Sequence, residues 1–171
     1  RDSEAWQDEA FLERLVVQIY QHAAYTERFL EWSDVAGNHL TTDLAGLVVL
    51  GIFLGNEGQA KTWAEKGWAM LMHEFPMQVP DDGVCREASV PYHRLVGELF
   101  LLPALARKSV GLDVPNTYWA RLATMADFID AYVQPGGSVP IWGDADDGRA
   151  LPLGSQGLND HRYLSESLRA A

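Results

Sequence analysis

The chain has 171 residues, enough for one domain with a sizeable core, and its 47% apolar and 22% charged residues are typical of folded proteins. A net charge of −11 disfavours binding to nucleic acid, whose phosphates attract Lys and Arg, and to densely sulfated polymers. The single Cys85 excludes an internal disulfide, and the longest apolar run, 44–54, is too short for membrane insertion.

Hydrophobic periodicity predicts helices joined by short connections, and no alternating strand pattern of any length is present. The first helix carries an apolar stripe at 3.6-residue spacing, and the second is apolar almost all round. Pro91 suits the first turn of the fourth helix, and Asn116 is a candidate cap for the fifth. The predicted helices span residues 5–31, 39–55, 57–75, 90–107, 116–133 and 159–169. We therefore expect an all-α fold of antiparallel helix hairpins.

Helix parity places three polar segments at one end of the molecule. If successive helices run antiparallel, the start of the second helix, the start of the fourth and the end of the fifth share that end. The segments are Asn38-His39, residues 85–94 and the loop 142–148. Two of them begin helices, where backbone N–H groups and the helix dipole favour an anion.

Each segment has a structural and a functional interpretation. Asn38 is a favoured helix cap, but with His39 it could instead hydrogen-bond an anionic group of a ligand. Tyr92 could lie at a core edge with its hydroxyl in water, or it could transfer a proton. In the second case His93 and Arg86 would lower the pKa of Tyr92, and Glu87 would orient a neighbour or remain a solvated acid.

The loop "WGDADDG" contains aspartates at alternate positions, as the calcium-binding loop of an EF-hand does. With Asp144 as first ligand the glycine falls one position early, and the twelfth position is Ser155 rather than Glu, so an EF-hand is excluded. The loop is either an Asx-rich turn or a sugar-binding segment. In the second interpretation Trp142 stacks on a ring and carboxylates such as Asp144 bind hydroxyls.

Three motifs in order carry a family resemblance. "NHL" enters an apolar helix, "REASVPYH" follows about fifty residues later, and "GGSVPIWGDADDG" comes last. Over residues 35–150 this pattern resembles the helical toroid domain of the heparinase II/III-like family, which contains polysaccharide lyases. The pattern departs from the family at Gly137, where Asp-Gly is expected.

The resemblance implies β-elimination at the C4 oxygen of a uronic acid. In that family an Asn and its neighbouring His neutralise the uronate carboxylate, matching Asn38 and His39. A Tyr that matches Tyr92 gives a proton to the leaving oxygen, and with syn substrates it also removes the C5 proton. His93 corresponds less closely, as site lining. No metal or other cofactor is implied for this domain.

Family members usually have a larger toroid and a C-terminal β-sandwich, which often supplies a further base. We therefore expect residues 1–171 to form one helical domain, a partial toroid, within a longer protein whose β-sandwich is missing here. Alone, such a fragment could be inactive. The expected partner is an acidic polysaccharide or oligosaccharide, and the charge of −11 favours a polymer less charged than heparin, such as alginate or a bacterial exopolysaccharide that contains uronic acid.

Two other functions stay open. One is glycoside hydrolysis on a helical toroid by a carboxylate pair drawn from Glu87, Asp144 and Asp146. The other is a glycan-binding domain without catalysis. We expect a periplasmic or secreted protein, with the cytoplasm as the alternative.

Overall fold

The computed structural model describes residues 3–34, 36–145, 147–151, 155 and 157–171. These residues form helices and loops without a strand, which confirms the all-α prediction. None of the helices found there is both long and apolar enough to cross a membrane. A 3₁₀ turn, Glu4–Gln7, precedes six α-helices: α1 Glu9–Arg28, α2 Asn38–Phe53, α3 Gly58–Gln78, α4 Val90–Ser109, α5 Asn116–Tyr132 and α6 Arg162–Ala170.

The helix boundaries differ from the prediction where local caps act. The first predicted helix is divided at Asp8, whose carboxylate accepts the N–H of Phe11 and starts α1. Helix α3 continues past residue 75 to Gln78 with Pro76 inside its last turn, although a proline has no N–H to bond the carbonyl four residues earlier. Asn116 is the first helical residue rather than the cap, since Pro115 occupies the cap position without a side-chain bond.

Successive helices from α2 onward pack antiparallel. A Cβ at Gly51, late in α2, would lie 2.4 Å from the carbonyl oxygen of Ala60, early in α3. A Cβ at Gly67 would lie 2.7 Å from the carbonyl oxygen of Leu44, so the two backbones touch along their length. The alternation continues in α5 and α6, where Asp130 accepts from Ser165 and Asp127 pairs with Arg169.

The main core lies between α2, α3, α4, α5 and α6. Phe75 stacks on Phe100 with ring centroids 4.0 Å apart, and Tyr118 packs against both rings. Burying these aromatic side chains contributes strongly to stability because each removes a large apolar area from water. Helix α1 is less deeply packed, with Ala23 as its buried residue.

A buried carboxylate holds the loop 147–151 on this core. Glu98 is fully buried in α4 and pairs with Arg94, one turn earlier, at 3.1 Å. The hydroxyl of Tyr163 in α6 donates to the same oxygen as Arg94, and the other oxygen accepts the backbone N–H groups of Ala150 and Leu151. A buried charge is tolerated only when it is bound in this way.

We predict that Glu98→Ala lowers the free energy of unfolding by about 3 kcal/mol or more, because it leaves Arg94 charged and buried without this partner. Urea unfolding followed by circular dichroism measures the change. Asp81→Ala is the control: Asp81 pairs with Arg121 but is 98% exposed, so the loss should stay below about 1 kcal/mol. Equal losses in the two variants would contradict the role assigned to Glu98.

Candidate functional site

The start of α2 is held by a carboxylate from a distant part of the chain. Gly37 occupies the cap position without a side chain to bond. The backbone N–H of Asn38 donates to Glu87 Oε1 at 2.6 Å, and Asn38 Nδ2 donates to Glu87 Oε2 at 2.8 Å. A Cβ at Gly37 would lie 3.1 Å from Glu87 Oε1, so a glycine lets the carboxylate approach closely. Asn38 is therefore the first helical residue and not the cap, and Glu87 supplies the anion at this helix end.

The segment carrying Glu87 also joins the other two polar segments. Ala88 adopts a left-handed backbone, φ 53°, which turns the chain between Glu87 and Ser89. Ser89 Oγ accepts the N–H of Tyr92 to cap α4 and donates to the carbonyl oxygen of Asp144 at 2.5 Å. The N–H of Val90 donates to the carbonyl oxygen of Trp142. Asn38-His39, residues 85–94 and the loop 142–148 thus lie together, as helix parity predicts.

Asn38 and His39, with Glu31, form a ridge between two surface hollows. Hollow A, about 410 Å³, is lined by the ridge and by Trp32, Ser33, Gln78, Arg86 and Glu87, among others. Hollow B, about 360 Å³, is lined by the ridge and by Thr42, Asp43, Leu95, Leu99, Gly148, Arg149 and Ala150. Because the three residues of the ridge line both hollows, a ligand that occupies both hollows contacts the ridge.

Glu31 fixes the orientation of His39 on the ridge. His39 Nδ1 lies 2.6 Å from Glu31 Oε2, and because an ionised carboxylate only accepts, Nδ1 carries the hydrogen. The other ring nitrogen is left for a ligand. The backbone N–H of Glu31 donates a hydrogen bond to Asp43 Oδ2 at 2.8 Å, which holds Glu31 in place. Partial burial raises the pKa of the Asp43 carboxyl group.

Tyr92 lies in the first turn of α4 and is half-buried. Its side chain does not line hollow A or hollow B. However, residues three and four apart share one face of a helix, and Leu95 and Leu99, which follow Tyr92 at that spacing, line hollow B. Tyr92 is therefore one turn from the wall of hollow B.

His93 is a core residue with both ring nitrogens engaged. Nδ1 accepts the N–H of Cys85 at 3.3 Å, and Nε2 donates to the carbonyl oxygen of Met125 at 3.3 Å. Burial lowers the pKa of His93 to about 4, so the ring is neutral at pH 7. With both nitrogens engaged in the protein and the ring neutral, His93 has neither the charge nor a spare donor with which to lower the pKa of Tyr92.

The remaining predicted site residues divide between two places. Arg86 and Glu87 line hollow A. Trp142 is 72% exposed and lines a smaller hollow of about 210 Å³ together with His93, on the other side of the 85–90 segment. Asp144 is exposed, and its carboxylate accepts the N–H of Ala145 in its own turn. Asp146 lies outside the described residues.

Most of the chain matches one known protein family. Residues 2–156 match the family model described as Heparinase II/III N-terminus. The chain belongs to this family. The family is one of polysaccharide lyases, and the match covers all three polar segments. No curated protein and no solved structure matches the chain.

Sequence patterns did not point to Glu31 and Trp32 as candidate site residues. Both lie in the connection between α1 and α2, where no helical periodicity assigns a face. A tryptophan outside the apolar helical stripes, six residues before Asn38, was the available signal, since large apolar side chains in such places often mark binding surfaces.

We predict that Glu87→Ala lowers the free energy of unfolding by roughly 1 kcal/mol, the usual loss for a helix cap, because the Asn38 N–H loses its acceptor. Glu87→Gln, which keeps one acceptor oxygen, should lose less. Urea unfolding measures both, and the side-chain amide resonances of Asn38 report its release. Arg86→Ala, an exposed neighbour, should leave stability unchanged; a similar loss there would contradict a capping role for Glu87.

We predict that stability falls as the pH drops from 6.5 towards 4. The pKa of His93 is lowered to about 4 by burial, and that of His161 also to about 4, by burial first and then by the Arg94 charge. As the pH falls, the histidines of the unfolded chain therefore bind protons at a higher pH than those of the folded chain. This proton uptake shifts the equilibrium toward the unfolded state. For His93 the loss of unfolding free energy between pH 7 and pH 5 is roughly 2 kcal/mol.

Urea unfolding at the two pH values tests this effect. His93→Gln, which cannot titrate, should show a smaller difference between pH 7 and pH 5 than the parent protein. An unchanged difference would mean that other groups cause the acid sensitivity.

Proposed function

We propose that this chain is the uronate-recognising part of a polysaccharide lyase that cleaves acidic glycans by β-elimination. The supporting observation is the ridge: Asn38 and His39 lie between two hollows, so a glycan that fills both hollows presents a linkage to these two residues. Membership of the heparinase II/III family supports the same reaction class.

In the proposed reaction, the Asn38 amide and the doubly protonated form of His39, which donates from Nε2 while Glu31 holds Nδ1, bind the uronate carboxylate and reduce its negative charge. The C5 proton then becomes removable, because the negative charge that develops on the carboxylate in the transition state is stabilised. Glu87 holds one hydrogen of the Asn38 amide and leaves the other for the substrate. The amide is thus oriented before the substrate arrives.

Tyr92 gives its hydroxyl proton to the C4 oxygen of the leaving sugar. When Tyr92 acts only as the acid, a base from the rest of the longer polypeptide accepts the C5 proton; as the C4–O bond breaks, the electrons of the C5–H bond form the C4–C5 double bond. With syn substrates the ionised tyrosine first removes the C5 proton and then returns it to the leaving oxygen. The position of Tyr92 one turn from the wall of hollow B is compatible with a linkage that lies over the ridge.

A hydrolase would need two carboxylates on opposite sides of the linkage. Glu87 already accepts two hydrogen bonds from Asn38, and Asp144 is engaged in its own turn. Of the candidate carboxylates that the structure describes, neither is therefore arranged as a general acid.

We predict that Tyr92→Phe reduces turnover by about 100-fold or more, because the leaving oxygen loses its proton donor. Asn38→Ala should also reduce turnover. The assay follows the ultraviolet absorbance of the new double bond, with alginate and unsulfated glucuronate polymers as substrates. It is run on the intact polypeptide in which this chain occurs.

Tyr25→Phe is the matched control, because Tyr25 is 67% exposed on α1 and its loss should not change activity. Full activity of Tyr92→Phe would exclude Tyr92 as the acid. A hydrolysed product without ultraviolet absorbance would replace the lyase proposal with the hydrolase alternative.

A further inference from the structure

Trp32 is an exposed aromatic side chain in an anchored loop. It is 63% exposed and lines hollow A next to the ridge. The chain before it is held firmly: Leu30 packs against both hydrophobic clusters, and the N–H of Glu31 donates to Asp43. The Trp32 N–H itself donates to the carbonyl oxygen of Leu30 at 2.9 Å. The indole is therefore presented from a fixed backbone, although no helix carries it.

The polar groups around Trp32 suit a neutral or weakly charged ligand. Arg86 brings one positive charge to hollow A, whereas Glu31 and Glu87 bring two carboxylates. Each carboxylate is hydrogen-bonded, Glu31 to His39 and Glu87 to Asn38. Gln78 also lines the hollow, but its buried side chain is already bonded to Thr41 and Glu74, so Arg86 and the two carboxylates set the polarity of the hollow.

We propose that hollow A is a sugar-binding subsite in which the indole of Trp32 stacks on a pyranose ring and Arg86 pairs with a uronate carboxylate. The glycan continues over the Asn38-His39 ridge into hollow B. Hollow A selects unsulfated uronate glycans, because the two carboxylates repel additional sulfate groups. The assignment rests on the proposed function for the position of the cleaved linkage, but binding to hollow A can be measured without catalysis.

Stacking on an exposed indole removes apolar faces of both the sugar and the tryptophan from water. Trp32→Ala is therefore expected to weaken binding of an unsulfated alginate tetrasaccharide by about tenfold. Calorimetry is performed on the Tyr92→Phe background, so that the ligand stays intact. Trp6→Ala is the matched control, since Trp6 is 49% exposed and lies in the 3₁₀ turn before α1. This control should bind like its parent.

Two further measurements complete the test. The indole N–H resonance of Trp32 should shift on addition of the alginate tetrasaccharide, and a heparin tetrasaccharide of equal length should bind more weakly. Unchanged affinity in Trp32→Ala, or an unshifted Trp32 resonance, would overturn the subsite. Tighter binding of the heparin tetrasaccharide would overturn the selectivity.

The two proposals fail in different ways. Binding that depends on Trp32, without an ultraviolet-absorbing product from the unsubstituted protein, supports the subsite and overturns the lyase reaction. If Trp32→Ala cleaves the glycan as fast as the unsubstituted protein does, the result supports the lyase reaction and overturns the subsite. Absence of binding by either tetrasaccharide overturns the subsite for acidic glycans.

Discussion

Glu98 is fully buried, and its carboxylate is bound by Arg94, by Tyr163 and by two backbone N–H groups. Removing a charge from water is costly unless donors surround it, so the ion is stable only when α4, α6 and the loop 147–151 come together. The loop has no regular secondary structure of its own to hold it. Since Gly148, Arg149 and Ala150 line hollow B, the shape of that hollow depends on this one buried interaction.

The same principle operates on the other side of the ridge. Glu87 binds the first amide of α2 and the side chain of Asn38, so this helix end is already occupied by an anion of the protein itself. In the proposed function, the side chains of Asn38 and His39, rather than the helix N-terminus, therefore bind the substrate carboxylate. This differs from the anion site that the sequence pattern suggested, in which the backbone of α2 would bind the ligand directly.

The helices and their order could be predicted from periodicity because apolar faces repeat every 3.6 residues, and alternation of direction then placed three segments at one end. Contacts between residues far apart in sequence could not be predicted in this way. The bond from Glu87 to Asn38 spans 49 positions, so a local capping rule assigned Asn38 a role that Glu87 performs. His93 looked like a site residue beside Tyr92, but its position on α4 faces Cys85 and Met125 in the interior.

The fixed orientation of Asn38 bears on how the proposed reaction could be accelerated. A side-chain amide in water rotates freely and has to be ordered when the substrate binds, which costs conformational entropy. Here Glu87 holds one amide hydrogen of Asn38 and Glu31 holds Nδ1 of His39, so both side chains are oriented before any ligand arrives. Preorganised groups of this kind stabilise a developing charge without rearrangement during the reaction. In the proposed subsite, the carboxylates of Glu31 and Glu87 repel sulfated polymers from hollow A. The same two carboxylates orient the ridge, so substrate selectivity and catalysis in the proposed lyase depend on the same groups.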